Sequence, residues 1–187
     1  DAPGSPNAIS LKGNGIVSNV KIGILKNYAG KPGDIVTIPV QAFDDLTGKN
    51  AKSFTMVLRY KKTILYPKEV KITNTLSDGL TLSTTDSKPG ELHVKVANSS
   101  AKLLTGTGNL VEIAFQALLG DTCGTHLILE SFNFNSDGPV AQKENGYFEL
   151  IGRCGGSKGY VTTDPNSYLM MVRSTDVETW TKDPQLI

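Results

Sequence analysis

Along much of this chain, apolar and polar residues alternate with a period of two. Residues 35–42 (IVTIPVQA) set Val36, Ile38, Val40 and Ala42 against Ile35, Thr37, Pro39 and Gln41. Because successive side chains of an extended strand point to opposite faces, this pattern predicts a strand with one buried face. The preceding Lys31-Pro32-Gly33-Asp34 predicts a tight turn, since proline presets one dihedral and glycine accepts a positive φ. Pro39 has no N–H to donate, which places this strand at a sheet edge or beside a bulge. Residues 20–25 form a second apolar run of strand length upstream.

The clearest half-buried strand is residues 53–60, with Phe54, Met56, Leu58 and Tyr60 on one face and Thr55, Val57 and Arg59 on the other. Residues 91–97 repeat the pattern, Leu92, Val94 and Val96 inward and His93 and Lys95 outward; Val111, Ile113, Phe115 and Ala117 mark another buried face. Residues 126–134 and 147–151 complete the set. Residues 65–72, broken by Pro67, predict an irregular crossing rather than a central strand. Strands at this spacing, separated by turn signals and without an amphipathic helix, predict an all-β, antiparallel β-sandwich. Residues 1–19, rich in Gly, Pro, Ser and Asn, read as a linker or lead-in, residues 20–154 as the sandwich, and residues 155–187 as a C-terminal extension that packs on it or links to a further module.

Composition narrows the function. Nineteen Lys and Arg against 18 Asp and Glu leave a net charge of +1, so no global field draws the chain to nucleic acid or to an anionic membrane. No apolar run approaches the ~20 residues of a spanning helix, and no signal peptide opens at Asp1. The two cysteines, Cys123 and Cys154, sit in glycine-containing stretches (DTCGT and GRCGG) where bridging geometry is easily reached. A disulfide between them would restrict the unfolded chain by roughly 3 to 4 kcal/mol and implies an oxidising compartment. The two histidines, His93 and His126, lie in alternating strands, and no nucleophile-elbow, zincin or Walker motif is present, so the chain reads as a non-enzyme.

One polar stretch has the spacing of a calcium loop. Asn133, Asn135, Asp137, Gly138 and Glu144 follow N-x-N-x-D-G-x5-E, which would set oxygen ligands around a hard cation, although Asn133 stands where such loops favour Asp. Calcium is thus the one cofactor candidate, with Asn133, Asn135, Asp137 and Glu144 as ligands; otherwise none is required.

The GKPGD turn before IPV, the SFTMVLRY strand and the GTGNLVEIAFQA stretch, taken in order, resemble a bacterial cohesin module, as does Asn145-Gly146 before Tyr147-Phe148 as the entry to a final strand. The likeness runs from about residue 20 to residue 150. It implies a jelly-roll sandwich of about nine strands, found outside the cell or at its surface, that is non-catalytic and binds dockerin modules. The Cys123 and Cys154 pair and the extension over 155–187 depart from the commonest pattern. In that family the dockerin lies on the sheet holding the strands that correspond to residues 53–60 and 91–97. The resemblance therefore implies a partner-binding patch of Thr55, Val57, Arg59, His93 and Lys95, with Asn98 and Ser99 at its rim. Related sandwiches bind carbohydrate or act as adhesins, so a polysaccharide partner is the alternative. A planar strip of exposed aromatics would favour sugar, and a flat mixed polar and aliphatic face a protein.

Overall fold

The computed structural model describes residues 18–25, 27–99 and 102–151, together with the backbone of 158–160 and 172–174. Eleven strands form two sheets. In chain order they are β1 (Asn19–Gly23), β2 (Tyr28–Gly30), β3 (Ile35–Ala42), β4 (Phe54–Arg59), β5 (Leu65–Lys71), β6 (Thr81–Lys88), β7 (Glu91–Ala97), β8 (Gly108–Ala117), β9 (Gly124–Phe134), β10 (Val140–Glu144) and β11 (Gly146–Leu150). One sheet has the order β10-β1-β3-β8-β5, the other β2-β11-β9-β4-β7-β6. A separate antiparallel pair joins β12 (Lys158–Tyr160) to β13 (Val172–Ser174).

The alternation read from the sequence is the alternation of burial. From β3 come Ile38, Val40 and Ala42, from β8 Val111, Ile113, Phe115 and Ala117, from β4 Phe54, Met56 and Leu58, and from β7 Leu92, Val94 and Val96; all are buried in one continuous core between the sheets. Aromatic contacts tie this core together. Phe54 on β4 stacks on Phe132 of β9 with centroids 4.9 Å apart, and Tyr60, just past β4, meets Phe115 of the opposite sheet edge-to-face at 5.1 Å.

Pro39 sits beside the bulge that its chemistry requires. The β3–β8 register shifts between Val40 and Gln41, and β1 pairs with β3 only at Gln41 and Ala42, so at Pro39 no β1 partner asks for the missing N–H. Residues 65–72 hold a seven-residue edge strand, β5, whose register to β8 breaks between Pro67 and Glu69. The bulge is how a proline is carried at the sheet edge.

Two strands exceed the nine expected, and two pairings are parallel rather than antiparallel: β1 with β10, and β2 with β11. Strand β2 has only three residues, and β10 shows no alternating burial, so neither carries a period-two signal. The chain passes from one sheet to the other between β1 and β2, through Asn27 at φ 77°. Gly33 takes the positive φ its turn requires, 95°. Gly90, between β6 and β7, combines φ 86° with a close approach: an added Cβ would lie 2.7 Å from the Tyr60 carbonyl oxygen.

Candidate protein-binding face

The outer face of the six-stranded sheet brings together every strand-borne residue of the predicted patch. Across β6, β7, β4 and β9 the pairing register lays down three rows. The first is Ser83–Lys95–Thr55–Asn133 and the second Thr85–His93–Val57–Ser131. The third is Lys88–Glu91–Arg59–Ile128. Between the second and third rows β9 bulges: Leu58 pairs with Leu129 but Val57 with Ser131, so the extra residue, Glu130, also turns outward. Thr55, Arg59 and Lys95 are exposed, and Val57 and His93 half-buried.

Two shallow hollows mark this surface. One of about 330 Å³ is lined by Thr55, Val57, Ser83, Thr85, His93, Lys95 and Ser131. The other, about 340 Å³, lies at the adjoining end and includes Thr55, Lys95, Asn98 and Asn133. Asn98 borders this second hollow, and Ser99 follows it, exposed.

Charge on the face gathers around Glu91, which is mostly covered by its neighbours. Its carboxylate lies 3.8 Å from Arg59 Nε, 3.7 Å from Lys88 Nζ and 3.6 Å from His93 Nε2. Arg59 Nη1 also reaches Glu130 at 3.5 Å. These are loose contacts beyond good hydrogen-bonding distance, and His93 Nε2 is buried without a hydrogen-bond partner. The face thus holds a set of charges that is compensated in sign but not saturated in hydrogen bonds.

The geometry does not support the calcium reading. Asn135 Oδ1 accepts from the backbone N–H of Lys52 (2.7 Å) and Ser53 (3.3 Å), while its amide donates to the Asn50 carbonyl (2.9 Å) and to Asp137 Oδ1 (2.7 Å). Asp137 further accepts from Asn50 and pairs with Lys52 Nζ at 3.2 Å. Hydrogen bonds to Asn135, Lys52 and Asn50 hold its carboxyl down at about 2. The oxygens that would have held a cation are thus spent on pinning the loop to the start of β4, with an ammonium already beside the carboxylate. Asn133 belongs to β9, and Glu144 ends the extended β10, roughly 13 Å along the strand from Val140. A coordination loop would have to curl back where this chain runs straight. Among the described residues no cluster of three or more His, Cys, Asp or Glu could hold a metal.

Cys123 lies just before β9, its carbonyl accepting from Leu150 N–H at 2.7 Å, and no free thiol occurs among the described residues. Cys154 lies outside the described residues, as do most of the extension over 155–187 and the lead-in up to residue 17.

Sequence reasoning missed a third feature of this face. Beyond Arg59 the surface continues onto β9 and β11, where His126 and Tyr147, paired in register, meet edge-to-face at 5.1 Å beside the exposed Ile128. The apolar Ile128 within an otherwise polar outward set was the available signal.

With this architecture in view, the comparisons agree with one another. The family model for the Cohesin domain matches residues 20–144, well over half of the chain. The chain belongs to the cohesin family. As members of that family are non-catalytic interaction modules, this cohesin is not an enzyme. Solved structures of similar fold include the sixth cohesin of scaffoldin B from Acetivibrio cellulolyticus in complex with a Cel5 dockerin, at 16% identity and TM-score 0.61, covering 71% of this chain and 99% of that one. A cohesin–dockerin complex from Clostridium thermocellum, Coh-OlpC with Doc435, has 14% identity and TM-score 0.62 over 75% of this chain and 98% of that one. The cohesin module of a family 33 glycoside hydrolase from Clostridium perfringens has 15% identity and TM-score 0.58 over 72% and 96%. Comparison with curated proteins finds no match. Among the described residues of the cohesin, no helix is long and apolar enough to cross a membrane.

Proposed function

We propose that this cohesin binds a dockerin-type protein through the outer face of β9, β4, β7 and β6, outside the cell or at its surface. The observation that carries the reading is the face itself. It is a broad sheet surface whose polar, charged and aliphatic side chains stand in register around Val57, with loosely held charges at Arg59, Lys88 and Glu91. Such a surface suits a protein partner: an apolar centre supplies contact area, and flanking charges set orientation. Several structural neighbours are described as cohesin–dockerin complexes, which supports the same kind of partner here. No Phe, Tyr or Trp stands in the three rows across β6, β7, β4 and β9, so a polysaccharide is not favoured there. In this reading residues 20–154 are the binding module, residues 1–19 a linker or lead-in, and residues 155–187 an extension that packs on the module or links it to a further one. The Cys123 and Cys154 pair fits an oxidising location.

Calorimetric titration with dockerin modules of the source organism tests the reading. Arg59→Glu should weaken binding by about 2 kcal/mol, roughly thirtyfold, and Val57→Asp by at least as much; both side chains point away from the core, so the fold is kept, with a modest fall in melting temperature for Arg59→Glu, which sets a like charge beside Glu91 and Glu130. Unchanged affinity in both variants rejects the face. Absence of binding to every dockerin, alongside binding to a polysaccharide, rejects the function.

A further inference from the structure

The largest hollow described on this sheet is not within the predicted patch but beside it, where β9 and β11 begin and β4 ends. It is an open depression of about 620 Å³, bordered by Arg59, Lys61, His126, Ile128 and Tyr147 among others. Two properties single it out. First, its floor is apolar and aromatic: Ile128 is 42% exposed, and the His126 and Tyr147 rings pack edge-to-face beside it. Second, no carboxylate lines it, whereas Arg59, Lys61 and His126 all do. The nearby acids lie outside the walls. Asp121 holds Lys61 Nζ at 2.9 Å, and Glu91 and Glu130 hold Arg59 at 3.8 and 3.5 Å.

We propose that this corner is the anchor point for the partner, taking an apolar side chain onto Ile128 and Tyr147 while an adjacent carboxylate of the same partner segment meets Arg59. The inference rests on the dockerin-type reading above, and adds to it a second contact zone and a required partner chemistry. Arg59 supplies the continuity: it stands in the third row of the face and also forms a wall of the hollow. A guanidinium offers five donors in a fixed fork, and two loose contacts leave it able to receive a further carboxylate. An apolar surface beside an unsaturated guanidinium disfavours a partner segment that is basic at the same place, so the corner selects among dockerins as well as adding affinity. Aromatic side chains have few rotatable bonds and so lose little freedom on binding, and they concentrate interface energy.

The test uses the full chain and the same dockerin modules, with variants outside the central patch. Ile128→Asp should weaken binding tenfold or more, by repelling the partner carboxylate and removing the aliphatic floor. Ile128→Lys, whose stem remains aliphatic, should stay within about threefold of wild type, and Tyr147→Ala should lose about tenfold. Ile128 is exposed, so its two variants should melt with the wild type and serve as the decisive pair where Tyr147→Ala is destabilised. Equal losses for Asp and Lys at position 128 would overturn the acidic partner chemistry. Unchanged affinity in every corner variant, with Val57→Asp still disruptive, would overturn the corner while leaving the central face intact. Loss of polysaccharide rather than dockerin binding in Tyr147→Ala would overturn it in favour of a sugar site. Tighter dockerin binding after deletion of residues 155–187 would overturn it in favour of this chain's own segment as occupant. If no dockerin binds the wild type, both readings fall.

Discussion

Replacing Asn135 by alanine removes a single side chain that ties the β9–β10 connection to the entry of β4. Its Oδ1 accepts from Lys52 N–H at 2.7 Å and Ser53 N–H at 3.3 Å, and its amide donates to the Asn50 carbonyl at 2.9 Å. A neutral hydrogen bond is worth about 1 kcal/mol net, and the longer of the shared pair less. The group is only partly buried, so water can replace some of what is lost. The expected cost is about 2 kcal/mol, a fall in melting temperature of about 6 °C for a domain of this size. Thermal unfolding followed by far-ultraviolet circular dichroism measures it, with and without chelator and with added calcium. All three conditions should give the same wild-type melting temperature and the same decrement, because an ion that binds only the folded state would shift it by mass action. A decrement below about 1 °C would refute the pinning role. A wild-type melting temperature that rises with calcium would refute the replacement of a cation by hydrogen bonds.

Acid should weaken the fold in a defined window. Hydrogen bonds hold Asp121 and Asp137 at about 2 in the folded state, below the ordinary value, so their contribution is complete above pH ~4 and is lost as pH falls through about 2. In Asp121→Asn the midpoint of unfolding should fall less steeply across that window than in wild type, as read from urea melts at stepped pH. Tyr60 acts at the other end. Burial, with lesser contributions from Asp86 and Tyr66, pushes its hydroxyl up to about 12, so its contribution is complete below pH ~10 and fades as pH rises through about 12. Spectrophotometric titration of wild type against Tyr60→Phe should lose one late-titrating tyrosine. Intact mass under non-reducing conditions should show Cys123 and Cys154 bonded, 2 Da below the reduced chain as two hydrogens are lost; two free thiols in chain purified from an oxidising compartment would count against the pair.

What the sequence disclosed, and what it withheld, follows one physical division. Strands β3, β4, β7 and β8 each bury one face against the opposite sheet, so their period of two is imposed by burial and is visible in the residues. The outward positions Thr55, Val57, Arg59, His93 and Lys95 follow from the same alternation, and the resemblance to cohesins singled out their strands as the central patch. Strands β2 and β10 owe their place to parallel pairing with β11 and β1, a backbone matter that leaves no mark on hydropathy. The calcium spacing is ambiguous for a related reason. Asn and Asp at alternate positions suit a metal loop and a hydrogen-bonded turn equally well, and only the partners Lys52, Ser53 and Asn50, more than 80 positions away in the chain, decide between them. The corner at Ile128 and Tyr147 needs the β9–β11 register and the bulge at Glu130, neither of which a single strand's pattern contains.

The central claim is that the partner sits on the six-stranded sheet, and nuclear magnetic resonance shift mapping during titration with a dockerin module tests it most directly. Side-chain signals of Val57, His93, Lys95 and Ile128 should shift and broaden together at one stoichiometry. Signals from the opposite outer face should not; there Ile35 and Tyr66 stand exposed on either side of Gln116. Shifts that cluster at Ile35 and Tyr66, with Val57 and Ile128 unmoved, would contradict the account.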